Sequence, residues 1–281
     1  MAELRQKEHA PPGPIPQKGT ESVITIATWN VKSVKARLEN LKAWLAEAEP
    51  DVVLLQELKC QDDAFPRAEL EALGWHLAVH GQKAYNGVAI LSRFPLAQVR
   101  TGLPGDDNDP QARYVEAILP QGLKVASLYL PNGNPAPGDK FDYKLAWMRR
   151  LLSHAQDLLA GDLPFLLGGA YNICPTDADV YAPAQWADDA LCRPDSRALF
   201  RSLLHLGLTE AFRELHPDEA GRYSFWDYQA GAWQRDAGLR IDHFLLSPAV
   251  ADRLLACDID KGPRGREKAS DHTPVWCRLD Y

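Results

Sequence analysis

From Val23 onward the chain alternates between two rhythms of apolar and polar positions. VITIATWN (23–30) and DVVLLQE (51–57) are nearly continuous, β-branched runs that end in polar residues, which predicts buried strands. Between them, over Val34 to Glu49, leucines at 38, 41 and 45 recur at helical spacing. The simplest reading is strand, helix, strand. Further strand-type runs are WHLAVHG, NGVAILS, YVEAIL, KVASLYL, PFLLGG, IDHFLLS and TPVWCRL, with helical stretches over Lys140 to Ala160 and Arg197 to Leu206. Many strands with a few interleaved helices predict an α/β protein of two-layer or sandwich architecture. No fixed-period repeat supports a solenoid or propeller. Residues 1 to about 22 carry four prolines and two glycines among polar groups, too little apolar surface to offset ordering, and read as a flexible tail.

A chain of 281 residues, 46% hydrophobic and 25% charged, can fill one large domain, here residues 23–281. Its 31 Lys and Arg against 38 Asp and Glu give a net charge of -7, which excludes coating nucleic acid by bulk positive charge but leaves room for a local basic groove. Cysteines at 60, 174, 192, 257 and 277 form no CxxC pair and no zinc-ligand spacing, so they read as reduced thiols of an intracellular protein. With no signal-peptide run and no apolar segment of about 18 residues, a cytoplasmic protein away from the membrane is expected.

Candidate chemistry lies where the strands end. Asn30 closes the first run and Gln56-Glu57 the second; Tyr129 and Asn132 end KVASLYL, Asn172 follows PFLLGG, Asp242 sits in RIDHFLLS, and Asp271-His272 precede the last strand. One Asn or Asp at a strand end is an ordinary cap for local backbone. Several polar strand ends together describe a site on a rigid scaffold. Carboxylates and amide oxygens without clustered Cys or His suit Mg²⁺ or Mn²⁺, which keeps waters and lets a substrate phosphate complete its shell. With one His and several Asn, phosphoester hydrolysis fits best. GxSxG, GxxxxGK[ST] and GxGxxG are all absent.

TWNVKSVKAR, LLQELKC, YNGVAILSR, YLPNGNP, the KxxW of Lys144 to Trp147, GGAYNICPTDADV, SFWDY, LRIDHFLLS and SDHTPVW, in that order, resemble the exonuclease III family of apurinic/apyrimidinic endonucleases, over roughly residues 24 to 281. The resemblance implies the four-layered α/β sandwich of the endonuclease/exonuclease/phosphatase superfamily, two mixed β-sheets flanked by helices. It further implies a Mg²⁺-dependent (or Mn²⁺-dependent) repair enzyme that nicks double-stranded DNA 5′ to an abasic site, acts at 3′ ends as an exonuclease and phosphodiesterase, and works as a monomer. Carried over residue by residue, Glu57 is the principal metal ligand with Asn30 beside it and Asp271 as a further acid near the metal. Tyr129, Asn132 and Asn172 surround the scissile phosphate, and Asp242 orients His272, which contacts a phosphate oxygen. Phe225, Trp226 and Leu239 wall the pocket for a flipped abasic sugar, with ordinary core packing as the competing reading for the two aromatics. Lys32, Lys35 and Arg37, the KGPRGREK run at 261–268, Arg113 and Arg240 are expected DNA-backbone contacts.

Two positions depart from the family pattern. Where the family reads Gly-Asp-Tyr/Phe-Asn, this chain has Gly169-Ala170-Tyr171-Asn172, so the carboxylate that positions or deprotonates the attacking water is missing. One loss inside an otherwise matching block reads as a deliberate inactivating replacement that leaves DNA binding intact. Lys32 stands where the family often has Asn or Asp near the metal, which leaves the number of metal ions open. The competing functions are a natural non-catalytic DNA-damage binding protein and a phosphatase or phosphodiesterase of the same superfamily.

Overall fold

The computed structural model describes residues 23–281; the proline-rich stretch read as a tail lies outside the described residues. Among the described residues twelve strands form two six-stranded sheets. The first sheet contains β1 (Val23–Asn30), β2 (Val52–Gln56), β3 (His76–His80), β4 (Val88–Ser92), β11 (Leu254–Ile259) and β12 (Val275–Asp280), in the order β11-β12-β1-β2-β4-β3. The second contains β5 (Ala97–Thr101), β6 (Tyr114–Ile118), β7 (Lys124–Tyr129), β8 (Phe165–Ala170), β9 (Thr209–Glu210) and β10 (Asp242–Leu246), in the order β5-β6-β7-β8-β10-β9. Each sheet has one parallel pair, β1 with β2 and β7 with β8, and is otherwise antiparallel. A parallel pair needs a crossover, supplied by the helices Leu38–Ala48 and Asp139–Ala160.

Three apolar clusters account for the layers. Ile26, Val52, Leu54 and Ile90 of one sheet meet Val115, Val125, Leu166 and Phe244 of the other in the central core. Alternate residues of the first sheet, Trp29, Val53 and Leu55, face outward onto Leu41, Trp44 and Leu45 of its crossover helix. On the far side Ala126, Leu128 and Leu167 pack under Trp147, Met148 and Leu151, joined by Phe200 and Leu203 of the helix Pro194–His205. The result is helix, sheet, sheet, helix, the four-layered sandwich. At Gly168 the sheets approach so closely that a Cβ would lie 2.6 Å from Leu54 Cδ1 and 2.7 Å from the Phe244 ring, so a larger residue there would force them apart.

Three strands carry no continuous apolar run to mark them in the sequence. All of β5 is exposed, β9 is two residues long, and β11 alternates partly buried and buried positions after a register shift. The five cysteines are buried and unpaired. No helix among the described residues is long and apolar enough to cross a membrane.

Candidate active site

The topology brings the polar strand ends to one edge of the sandwich. β1, β2, β7 and β8 deliver Asn30, Glu57, Tyr129 and Asn172 at or just past their C-terminal ends. β10 and β12 run antiparallel to their neighbours, so it is the start of β10 and the approach to β12 that supply Asp242 and Asp271-His272 at the same edge. Asn30, Lys32, Glu57, Tyr129, Asn132, Asn172, Phe225, Asp271 and His272 line one cavity of about 370 Å³.

Backbone conformation aims several of these side chains. Lys32 (φ 45°), Glu57 (φ 57°), Lys59 (φ 56°) and Asn172 (φ 50°) are all in the left-handed region, costly for Glu and Lys and concentrated where function demands a direction. Asn30 Oδ1 accepts from the Lys32 backbone N–H at 3.0 Å, an Asx turn that rotates the chain as it leaves β1. The buried Lys144, from the KxxW stretch, donates to the backbone oxygens of Asn132 (3.0 Å) and Asn172 (2.6 Å), joining the two site segments of the second sheet. Burial without a carboxylate in contact lowers its ammonium to about 7.

His272 Nδ1 lies 2.8 Å from Asp242 Oδ2, which also accepts from Ser224 Oγ at 2.6 Å. Burial alone would depress the His272 imidazole, but Asp242, helped by Asp271 and Glu57, outweighs it and raises the ring above its ordinary value. The Phe225 ring packs edge-on at 5.0 Å, leaving Nε2 to face the cavity. Asn172 Nδ2 donates to Leu130 O at 2.7 Å, which fixes its amide. Burial, and after it the Glu57 carboxylate, push the Tyr129 hydroxyl far up, so it remains a proton-bearing donor. Arg113 is half-buried: it donates to Tyr129 O at 3.0 Å, lies 4.8 Å over that ring, and opens into a neighbouring cleft of about 740 Å³ that shares Asn132.

The acidic residues carry lysines. Lys32 Nζ is ion-paired with Asp271, and Lys59 Nζ lies 3.0 Å from Glu57 Oε1. Burial pulls the Lys32 ammonium down, but Asp271 and then Glu57 more than offset it and raise it. Among the described residues no three His, Cys, Asp or Glu side chains gather to hold a metal ion. Asn30, Glu57 and Asp271 nevertheless offer oxygen donors only, at one wall of the cavity, which fits a hard cation that takes one or two carboxylates.

Three expected DNA contacts are corrected. Arg240 is 1% exposed, its Nε 2.7 Å from Asp179 and Nη1 2.9 Å from Glu210, so its guanidinium is spent inside the protein. Trp226 is fully buried against Trp233, with Nε1 donating to Asp236 at 2.9 Å; ordinary packing is the right description. Leu239 bridges to Phe225 from behind and is likewise buried, leaving Phe225 alone of the three at the cavity. Ala170 is fully buried, directly opposite Asp242 in the β8–β10 register, so its methyl group lies on the same face as that carboxylate. Sequence reading missed Tyr228, whose exposed ring lies 4.8 Å from Lys32 Nζ and whose hydroxyl donates to Ala269 O at 2.8 Å, and Asp227 and Gln229 beside it. The signal was available in SFWDY, where a buried Trp226 flanked by exposed polar and aromatic positions marks a loop standing on the core.

The model of the Endonuclease/Exonuclease/phosphatase family matches residues 27–272. The chain is 34% identical to exodeoxyribonuclease III of Haemophilus influenzae over 90% of this chain and 98% of that one. The solved structure of the 3′ phosphatase NExo from Neisseria, bound to a product DNA hairpin, superposes with a TM-score of 0.89 at 41% identity, covering 92% of this chain and all of that one. An AP endonuclease from Archaeoglobus fulgidus gives 0.87 at 34% identity over 92% of this chain and all of its own. The family match over most of the chain, the sequence identity and the near-complete mutual coverage leave one assignment: the chain belongs to the endonuclease/exonuclease/phosphatase family of divalent-metal-dependent hydrolases, in its exodeoxyribonuclease III and AP-endonuclease branch of repair nucleases.

Proposed function

We propose that this chain recognises double-stranded DNA at an abasic site or a 3′ end, as a cytoplasmic monomer, and that its site is built for hydrolysis of the phosphodiester 5′ to the lesion and for 3′–5′ exonuclease and 3′-phosphodiesterase reactions, with the hydrolytic step crippled by Ala170. The observation that supports this best is the His272–Asp242 pair, with His272 lining the same cavity as Glu57 and Asp271 and a methyl group beside Asp242. A phosphate in the cavity meets His272 at Nε2, the Tyr129 hydroxyl and the fixed Asn172 amide, three groups that stabilise charge gathering on the phosphoryl oxygens. Phe225 gives one apolar wall against which an extruded, base-free sugar can sit. Glu57, Asp271 and the Asn30 amide would hold Mg²⁺ or Mn²⁺, which when bound supplies Lewis-acid stabilisation of the same charge. What the site lacks is a group to take or orient the proton of the attacking water.

The test is a paired assay on a duplex with one abasic-site analogue, following binding and nicking by this chain and by Ala170→Asp in Mg²⁺. The expected result is tight binding by both and nicking by the variant alone, with a gain on the order of a thousandfold. Binding without nicking by either would favour a natural damage-binding protein, motivated by the same Ala170. Turnover of a lipid or inositol phosphate by the variant, in place of DNA, would move the chain to the phosphatases of the family.

A further inference from the structure

We propose that Lys32 is a built-in cation of the site, which competes with a divalent ion for Asp271 and lets the free protein engage a DNA phosphate without metal. The inference deepens the reading of Glu57 and Asp271 as the cation-holding carboxylates and rests on it.

Four observations place the ammonium there. The Asx turn at Asn30 and the left-handed φ of Lys32 turn its side chain from the end of β1 back across the cavity. Arg37 pins the turn by donating to Lys32 O at 2.7 Å. The ammonium is ion-paired with Asp271, a carboxylate that is itself 4% exposed. On its other side lies the Tyr228 ring, 4.8 Å away, a cation–π contact that holds a positive charge in this position. A divalent ion drawn to Asp271 must therefore displace an ammonium already paired, against the repulsion of that ammonium at short range in a partly buried site. Lys59 on Glu57 adds a second positive charge at the same wall. Each of the two carboxylates that would hold the cation thus already carries an ammonium, a balance suited to an anionic phosphate.

The experiment needs no turnover. Free Mn²⁺ is counted by electron paramagnetic resonance during titration of the full chain, of Lys32→Asn and of Lys32→Met, with the fold of each checked by circular dichroism. Both variants are expected to bind Mn²⁺ at least about tenfold more tightly than the parent, and adding Asp271→Asn to Lys32→Asn is expected to abolish that gain. Equal Mn²⁺ affinity in all three proteins overturns the proposal, as does a gain that survives Asp271→Asn. In a second arm, affinity for the abasic duplex is compared in Mg²⁺ and in EDTA. The parent is expected to change less than twofold and Lys32→Asn to lose at least about tenfold in EDTA; a parent that loses as much as the variant overturns it. Failure of every protein to bind the duplex would reject the proposed function, whereas the Mn²⁺ titration judges Lys32 independently of DNA.

Discussion

Two charged clusters in this molecule use the same residue types to opposite ends. Around Arg240, the buried carboxylates of Asp179 and Glu210 receive Arg240 Nε and Nη1, while Arg213 Nη2 approaches Asp179 at 2.8 Å, Thr176 donates twice to its other oxygen, and the Arg213 backbone N–H donates to Glu210, which caps the helix that follows it. His243 completes the set, its Nδ1 3.2 Å from Arg240 and its Nε2 2.9 Å from Ile173 O. Every oxygen has a partner, and Asp179, Glu210 and Arg240 are buried at the floor of a cleft of about 460 Å³. At the cavity, by contrast, His272 keeps one nitrogen free, and Glu57 and Asp271 are held by lysines that remain about a third exposed on their side chains. A cluster closed on itself in this way has no hydrogen-bonding capacity left over for a ligand. An open one keeps hydrogen-bonding and charge capacity for a substrate.

The sharpest way to break the contrast is Arg240→Leu. Removing the shared cation leaves two buried carboxylates short of partners, and a loss of about 3–5 kcal/mol in stability is expected, read as a fall in the urea midpoint. Were the variant as stable as the parent, the cluster would have to be reorganising around Arg213. Affinity of the folded fraction for the abasic duplex should be unchanged, because Arg240 does not reach the surface.

Acid should dissolve the closed cluster within a defined window. Burial would raise Glu210, but Arg240 and His243 outweigh it and hold the carboxyl down to about 2, and Asp179 is lowered in the same sense, chiefly by Arg240 against its burial. Because the folded values are depressed, the stability they contribute is present above their ordinary range near pH 4.5 and drains away as pH falls toward about 2. Urea midpoints at pH 5 and pH 3 should differ in the parent and differ less in Arg240→Leu; identical pH slopes would contradict this account.

Lys144→Met tests the join between scaffold and open site. The substitution removes two hydrogen bonds to the backbone at Asn132 and Asn172 while keeping most of the buried stem. The expected cost is about 1–2 kcal/mol, softened because burial already disfavours the ammonium. Weaker binding of the abasic duplex should accompany it as the two segments loosen. Full affinity with full stability would show that the ammonium positions nothing.

Much of this was legible along the chain. VITIATWN became β1 over the same residues, the leucines at 38, 41 and 45 marked the first crossover helix, and KVASLYL and PFLLGG became the parallel pair β7 and β8, because a continuous apolar run records burial on both faces. Polar residues ending those runs were equally plain, and Asn30, Glu57, Tyr129, Asn132, Asn172, Asp271 and His272 do share one cavity, with Asp242 behind His272. β5 left no trace, since an exposed edge strand carries no apolar pattern.

The amino-acid order by itself determined which long apolar runs are strands, which polar groups stand at their ends, and that position 170 offers a methyl group. It could not determine partners. Whether an arginine faces DNA or the core depends on charges distant in sequence: Arg240 finds Asp179 and Glu210, 61 and 30 positions away, and is enclosed, while Lys32 meets Asp271 across 239 positions at an open wall. Local pattern records burial because burial repeats along a strand, whereas the pairing of charges is a matter of distance in space, set only when the two sheets close on one another.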